Sequence, residues 1–203
     1  MNYRGVHLIP GRSNVNDEAF WSNREESEIS RGTSASEVIF FSLLELFGLD
    51  KNGKNKEVKL IDLGSGKFNK KSISVVCEMY LNFDSFALDI SEKFARSFGE
   101  SNVKSVFSKI EETPFSDDFF DITVSSHSIE HTANIERSLA EISRITKKNG
   151  VIVMNVPIGE GWTNDLDHNY WFSEDIDFAF GDIIEFYKGN QKNSLVQIYR
   201  NQK

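Results

Sequence analysis

The stretch from Val58 to Asn69 constrains the fold of this chain more than any other. Residues 60–63 predict a short buried strand. Gly64 and Gly66 then let the backbone turn tightly where a ligand can approach it closely. Apolar residues at helical spacing follow at 73–80, so the turn directs the N–H groups of a helix start towards that ligand. A strand, a glycine turn and a helix in this order predict a nucleotide site.

The glycine pattern does not complete a known phosphate-binding motif. A dinucleotide fingerprint requires G-x-G-x-x-G, and Asn69 stands in place of the third glycine. A P-loop is excluded, because Phe68 follows Gly66-Lys67 where serine or threonine is required and Ile61 stands where the first glycine belongs. A tight turn that serves only the sheet is the alternative.

Strand and helix patterns alternate along most of the chain. The predicted strands are 60–63, 85–89, 103–107, 119–126, 151–156, 183–188 and 195–200, and the predicted helices are 34–47, 70–82, 92–98, 135–148 and 173–180. This alternation predicts an α/β domain whose mostly parallel sheet carries helices on both faces. The last two strands lie close enough in sequence to form an antiparallel hairpin.

Asp89 is the second residue that points to a nucleotide. It ends a short apolar strand 25 residues after Gly64, where a doubly wound fold brings a carboxylate to the ribose hydroxyls of a bound nucleotide. The alternative is an acid that only precedes a helix, since Ser91 predicts a helix cap directly after it.

Composition limits the partners and the compartment. The net charge of −8 opposes nonspecific attraction to nucleic acid, and the basic run from Lys51 to Lys59 is interpreted as a solvated loop. No apolar run is long enough to span a membrane, and the N-terminus lacks a signal-peptide pattern. The single Cys77 suits a reducing cytoplasm. Residues 1–33 are predicted to form an N-terminal arm over the site, with one helix near 17–30, and residues 34–203 the domain itself.

Several short motifs, in a fixed order, resemble those of the class I S-adenosylmethionine-dependent methyltransferases, in particular the small-molecule, type 11-like branch. They are Ile61-Asp-Leu-Gly-Ser-Gly66, Leu88-Asp-Ile-Ser91, Thr113-Pro-Phe115 with Phe120-Asp121, Ile129-Glu-His131, and Leu139 through Gly150 leading into Val151-Ile-Val153. The resemblance implies a Rossmann-like, doubly wound, seven-stranded sheet whose last strand is antiparallel. It also implies S-adenosyl-L-methionine as the cofactor, bound across the C-terminal ends of the first strands.

The resemblance also implies roles for individual residues. Asp62, Gly64 and Gly66 are implied to shape the loop that holds the methionine part of the cofactor, and Asp89 to accept hydrogen bonds from its ribose. Ile110 is implied to lie beside the adenine, and Ser126 with His127 to line the pocket floor below the sulfonium. This sequence departs from the family pattern at two places. The third glycine is missing, and Lys109 stands where many relatives carry an acid for the adenine amino group.

The histidines at the pocket floor are the candidates for proton transfer. His127 is predicted to be the general base, because imidazole exchanges protons near neutrality; an ordinary packing residue is the alternative. His131 is interpreted as structural, and no metal is expected, because residues 127–131 span a strand-to-helix turn. Trp162, His168, Tyr170 and Trp171 form an aromatic segment that either contacts the acceptor or packs under the hairpin, and Asp165, Asp167 and His168 resemble a metal cluster only superficially.

The function predicted from these features is transfer of a methyl group from S-adenosylmethionine to an oxygen or nitrogen of a small polar metabolite, a sugar being one candidate. Two alternatives stay open. One is a catalytically degenerate relative that binds the cofactor or a partner protein, suggested by Phe68, Asn69 and Lys109. The other is a nicotinamide-dependent oxidoreductase, because Gly64, Gly66 and Asp89 also suit that cofactor.

Overall fold

A seven-stranded sheet forms the centre of the protein, as a computed structural model shows. The model describes residues 3–10, 33–48, 54–99, 101–161, 168–188 and 194–203. The strands of this sheet are β2 (Lys59–Leu63), β3 (Asp84–Asp89), β4 (Lys104–Phe107), β5 (Phe120–Ser126), β6 (Thr146–Pro157), β8 (Gly181–Lys188) and β9 (Ser194–Asn201). Their order is β4-β3-β2-β5-β6-β9-β8. β4, β3, β2, β5 and β6 pair in parallel, and β9 runs antiparallel to both β6 and β8. The predicted fold class is confirmed.

Helices cover both faces of this sheet. They are α1 (Thr33–Phe47), α2 (Ile73–Leu81), α3 (Glu92–Arg96) and α4 (Ile135–Ile145). On one face α1 and α2 pack against residues such as Leu60 and Val153. On the other face, α4 packs its buried stripe of isoleucine and leucine against Ile152 and Met154. The near-continuous apolar runs of β2 and β6 follow from this burial on both sides, and each such side chain contributes roughly 1.5–3 kcal/mol of burial free energy.

A second, two-stranded sheet joins β1 (Arg4–Leu8) to β7 (Tyr170–Asp177) in antiparallel fashion. The predicted helix 173–180 is therefore wrong. Phe172 and Ile176 lie buried in the same core that α4 covers, whereas Glu174 and Asp175 face solvent. Pairing with β1, which lies far away in the sequence, decides the conformation here. The sequence did not predict β1, and the helix expected near 17–30 lies outside the described residues.

The remaining differences are at element ends. α4 ends at Ile145, five residues before Gly150, because β6 begins at Thr146 and pairs with Phe120. The pairing then shifts in register, and Asn149 adopts a positive φ of 63°, a conformation that asparagine tolerates better than most residues. Among the described residues, the helices are all too short or too polar to cross a membrane.

Candidate functional site

The residues predicted to form the site meet at one edge of the sheet, where the parallel strands end. In the register of the sheet, Leu63 of β2 lies beside Leu88 of β3 and Ser125 of β5. Gly64, one residue further on, is therefore level with Asp89 and Ser126. Ligands of doubly wound folds bind outside this carboxyl edge.

The glycine turn fits against the segment that follows β5. Gly64 has a φ of 69°, and a Cβ atom there would lie 2.4 Å from the Cβ of Ser128. The Ser128 hydroxyl donates to the carbonyl of Leu63 at 2.8 Å. Gly66 also has a positive φ, of 65°. Position 64 therefore requires glycine for two reasons: its φ is positive, and a side chain would collide with Ser128.

Asp89 is anchored by two backbone donors. The N–H of Gly66 donates to its Oδ2 at 2.9 Å, and the N–H of Ser91 donates to its Oδ1 at 2.8 Å. Burial raises the pKa of Asp89 to about 6, although the hydrogen bonds from Ser91, Gly66 and Ile90 oppose the shift. A carboxylate has about four lone-pair sites, so each oxygen can still accept a hydroxyl donor.

Asp62 lies one layer deeper, in β2. Burial raises its pKa to about 7; the backbone hydrogen bond from Ser74, at the start of α2, opposes this shift, and the charge of Asp89 adds to it. Two buried carboxyls thus change charge near neutrality at the glycine turn. Such shifts are more frequent at functional sites than elsewhere.

The end of β5 is held by Asn155 of β6. The side-chain amide of Asn155 donates to the Ser126 hydroxyl at 2.9 Å. The backbone carbonyl of Asn155 accepts the N–H of His127, also at 2.9 Å. Asn155 is fully buried, and its Oδ1 accepts no hydrogen bond from the described part of the chain. Sequence reasoning missed this residue. The only signal was one asparagine inside the apolar run 151–156.

His127 adopts a positive φ of 50°, and its Nδ1 lies 3.5 Å from the Oε1 of Glu130. The side chain of Glu130 is completely buried, while that of His127 is 34% exposed. Burial acts to raise the pKa of Glu130, but the contact with His127 and the nearby charges of His131 and His168 outweigh it, so this pKa is lowered. A buried carboxylate therefore faces one nitrogen of the predicted base.

Three polar side chains form a cluster that the sequence did not predict. The potential ligand atoms of Glu130, His131 and His168 all lie within 4.8 Å of one another. Glu130 and His131 belong to a single turn of 3-10 helix directly after β5, Ile129–His131, whereas His168 precedes β7. Sequence reasoning treated these residues separately because 36 residues lie between His131 and His168.

Ile110 is buried in the turn after β4, in the same core cluster as Phe86 and Leu88. Lys109 is exposed and forms an isolated backbone bridge with Glu112. Three residues beyond Ile110, the N–H and the hydroxyl of Thr113 each donate to Glu141 of α4 at 2.7 Å. The segment predicted to lie beside the adenine is therefore fixed to a helix.

The aromatic segment from Trp162 to Trp171 is only partly described by the structure, and its last two residues begin β7. Tyr170 is buried, and its hydroxyl donates to the carbonyl of Ala133 at 3.3 Å. Trp171 stacks on His7 of β1, with 4.0 Å between the ring centroids. Both side chains therefore contribute to packing. Trp162, Asp165 and Asp167 lie outside the described residues.

Residues 61–154 match the family model described as a methyltransferase domain, and no curated protein sequence matches the chain. Many solved structures share the fold, and three illustrate it. PH0226 from Pyrococcus horikoshii has a TM-score of 0.66 and 19% identity over 89% of this chain and 93% of that one. A candidate S-adenosylmethionine-dependent methyltransferase from Methanococcus maripaludis has a TM-score of 0.62 and 18% identity over 93% and 94%.

The third is the 1,6-didemethyltoxoflavin N1-methyltransferase of Burkholderia thailandensis, solved with 1,6-didemethyltoxoflavin and S-adenosylhomocysteine bound. It has a TM-score of 0.65 and 14% identity over 89% of this chain and 82% of that one. Some other matched chains are longer, so that this chain spans 63%, 54% and 46% of three of them.

Proposed function

We propose that the chain, whose residues 61–154 match a methyltransferase domain, is a class I S-adenosylmethionine-dependent methyltransferase that transfers a methyl group to an oxygen or nitrogen of a small polar metabolite. The observation that carries the proposal is the buried Asp89 carboxylate. It is fixed by Gly66 and Ser91 at the carboxyl edge of the sheet, beside a turn that requires glycine.

The residues at this edge fit the cofactor. The free lone pairs of Asp89 accept the ribose hydroxyls, and Gly64 and Gly66 leave the backbone open to the methionine part. Ile110 supplies an apolar surface beside Asp89 for the adenine, and Ser126 completes the floor. The cofactor supplies an activated methyl group, so the protein mainly has to align donor and acceptor.

We assign the proton transfer to His127. Its Nδ1 faces the buried carboxylate of Glu130 at 3.5 Å, which leaves Nε2 to accept a proton from an acceptor hydroxyl or amine. A carboxylate behind an imidazole fixes its tautomer and stabilises its charged form. Asn155 holds the His127 backbone in its left-handed conformation, so the ring keeps its place at the end of β5.

The acceptor is proposed to be a small metabolite, a sugar among the candidates, and the compartment the cytoplasm. The acidic chain carries a net charge of −8, which disfavours nucleic acid as the acceptor. The one cysteine, Cys77, is buried, in keeping with a reducing compartment.

The test is calorimetric titration of S-adenosylmethionine and S-adenosylhomocysteine into the purified protein and into the variant Asp89→Ala. We expect saturable binding that the variant loses. Methyl transfer is then measured with labelled cofactor and fractions of a metabolite extract. Binding without transfer to any fraction would favour the degenerate alternative. Saturable binding of a reduced nicotinamide, with none of the methyl donor, would overturn the proposal.

A further inference from the structure

The cluster of Glu130, His131 and His168 combines two imidazoles and one carboxylate at short range. Its potential ligand atoms lie within 4.8 Å of one another, and the Oε1 of Glu130 is 3.8 Å from the Nε2 of His131. The rings of His131 and His168 are 4.7 Å apart between centroids. We propose that these three side chains bind a divalent transition metal ion of the zinc type.

The buried carboxylate is the first argument for an ion. Glu130 is completely buried, and neither of its carboxylate oxygens accepts a hydrogen bond from the residues that the structure describes. The Nδ1 of His127 and the Nε2 of His131 lie 3.5 and 3.8 Å from its Oε1, beyond the usual hydrogen-bond length of about 3 Å. A buried charge with unmet hydrogen bonds is costly, and a bound cation removes that cost.

The type of ligand selects the type of metal. Imidazole nitrogens suit zinc, iron, copper and nickel, whereas magnesium and calcium prefer oxygen ligands alone. Two histidines and one glutamate are also the three protein ligands of a common open zinc site, whose fourth position takes water or substrate. With metal–ligand bonds of about 2.0–2.1 Å, tetrahedral geometry places ligand atoms roughly 3.3 Å apart. The separation of 3.8 Å between Glu130 and His131 is near that value, and all the potential ligand atoms lie within 4.8 Å of one another.

The backbone around the cluster is already fixed, which is the second argument. Asn169 donates its N–H to the carbonyl of Glu130 at 2.9 Å and its side-chain amide to the carbonyls of His131 and Thr132 at 3.0 and 3.2 Å. Its own carbonyl accepts the N–H of Ile9 at 2.9 Å. The residue next to His168 is therefore tied to the turn that carries the other two ligands, so little order has to be gained when the ion binds.

The site does not depend on the proposed methyl transfer, and it is compatible with it. The carboxylate has enough lone pairs to bind an ion and still face the Nδ1 of His127. No metal was expected from the sequence, because residues 127–131 span a strand-to-helix turn and Asp165, Asp167 and His168 resemble a metal cluster only superficially. The fold brings His168 to Glu130 and His131, and this proximity changes that expectation.

Cobalt and zinc binding to the full chain tests the proposal. The protein is dialysed against a chelator and titrated with Co²⁺, whose visible absorption reports coordination by nitrogen and oxygen, and then with Zn²⁺ in competition with a chromogenic chelator. We expect one ion per chain, no competition from Mg²⁺, and affinity reduced more than about 100-fold in His131→Ala and His168→Ala, since even residues behind the ligands affect affinity by 10–100-fold.

The chain offers a matched control. Of its four histidines, only His7 lies outside this region, so His7→Ala should bind cobalt as the wild type does. Far-UV circular dichroism verifies that each variant is folded, and if Glu130→Gln does not fold, the two histidine variants decide the question. Absence of stoichiometric binding to the wild type, or equal binding by His168→Ala and His7→Ala, would overturn the proposal.

Discussion

The backbone N–H of Gly66 donates to the Oδ2 atom of Asp89 at 2.9 Å, so the glycine turn and the acid at the end of β3 form one unit. The turn approaches β3 a second time, because the N–H groups of Gly64 and Ser65 both donate to the carbonyl of Leu88, at 2.8 and 3.0 Å. Any change in the charge of Asp89 therefore acts on the loop that is proposed to hold the cofactor.

The affinity for S-adenosylmethionine should rise with pH. Burial raises the pKa of Asp89 to about 6, so the carboxyl is largely neutral at pH 5 and charged at pH 7.5. In the proposed site, the charged form of Asp89 attracts the sulfonium and accepts both ribose hydroxyls, and the neutral form does not. We expect affinity to increase roughly tenfold over this interval and to be low and nearly constant in Asp89→Asn. Calorimetry at pH 5 and pH 7.5 checks this prediction. The same pH dependence of affinity in Asp89→Asn as in the wild type would contradict it.

The stability of the ligand-free protein should fall as pH rises through neutrality. The folded pKa of Asp62 is raised to about 7 from an ordinary value near 3.8. The contribution of Asp62 to the free energy of unfolding is thus fully present below pH 3.8 and is lost as pH rises through 7. The stability of Asp62→Asn relative to the wild type should therefore increase between pH 5 and 8, by about 3 kcal/mol. Urea unfolding at pH 5 and pH 8 measures this, and the same pH dependence in the wild type and in Asp62→Asn would contradict it.

Gly64→Ala should be much more destabilising than substitutions at two other glycines. At Gly64 the φ of 69° and the 2.4 Å approach to Ser128 act together. At Gly48 the φ is also positive, at 75°, but nothing lies within 4 Å, and at Gly161 neither constraint applies. We expect the free energy of unfolding to fall by about 3 kcal/mol or more in Gly64→Ala and by about 1 kcal/mol in Gly48→Ala. In Gly161→Ala the loss should be close to zero. Thermal unfolding ranks the three variants, and equal losses at Gly64 and Gly48 would rule out the steric term.

The parts of this molecule that the sequence predicted correctly depend on local pattern. The position of Asp89 at the end of a strand was predicted because a strand and a helix cap flank it. The central strands and most helices were predicted because their apolar residues repeat at regular spacing. The parts that were missed depend on distant contacts. β7 resembles a capped helix at Ser173, yet it pairs with β1. His168 lies near Glu130 because the neighbouring Asn169 donates its N–H to the Glu130 carbonyl. No local pattern contains that information.

His127 should affect methyl transfer far more than cofactor binding. Because its φ is 50°, the informative variant is His127→Asn, since asparagine tolerates the left-handed conformation that alanine disfavours. Loss of a general base costs typically 10²–10⁴-fold in rate. We expect a loss of that size in the rate of transfer to the acceptor, with S-adenosylhomocysteine affinity within about threefold of wild type by calorimetry. A full rate in the variant would remove His127 from the proposed chemistry.

Arg144 fastens the segment after Ile110 to α4, and lysine should not replace it. Its guanidinium donates to both oxygens of Glu141 and to Asp117, each at 2.7 Å, and to the carbonyl of Phe115 at 2.8 Å.

A single ammonium group cannot reproduce this planar set of donors, so Arg144→Lys should cost about 1–3 kcal/mol. Arg137→Lys is the matched control on the same helix, because Arg137 is exposed and its ion pair with Glu112 is long at 3.9 Å. The free energy of unfolding of this variant should stay within about 0.5 kcal/mol of the wild type. Since Glu141 also holds Thr113, Arg144→Lys should weaken S-adenosylhomocysteine binding as well. Urea unfolding and calorimetry measure the two effects, and equal stability of both lysine variants would show that Glu141 holds the segment without the arginine.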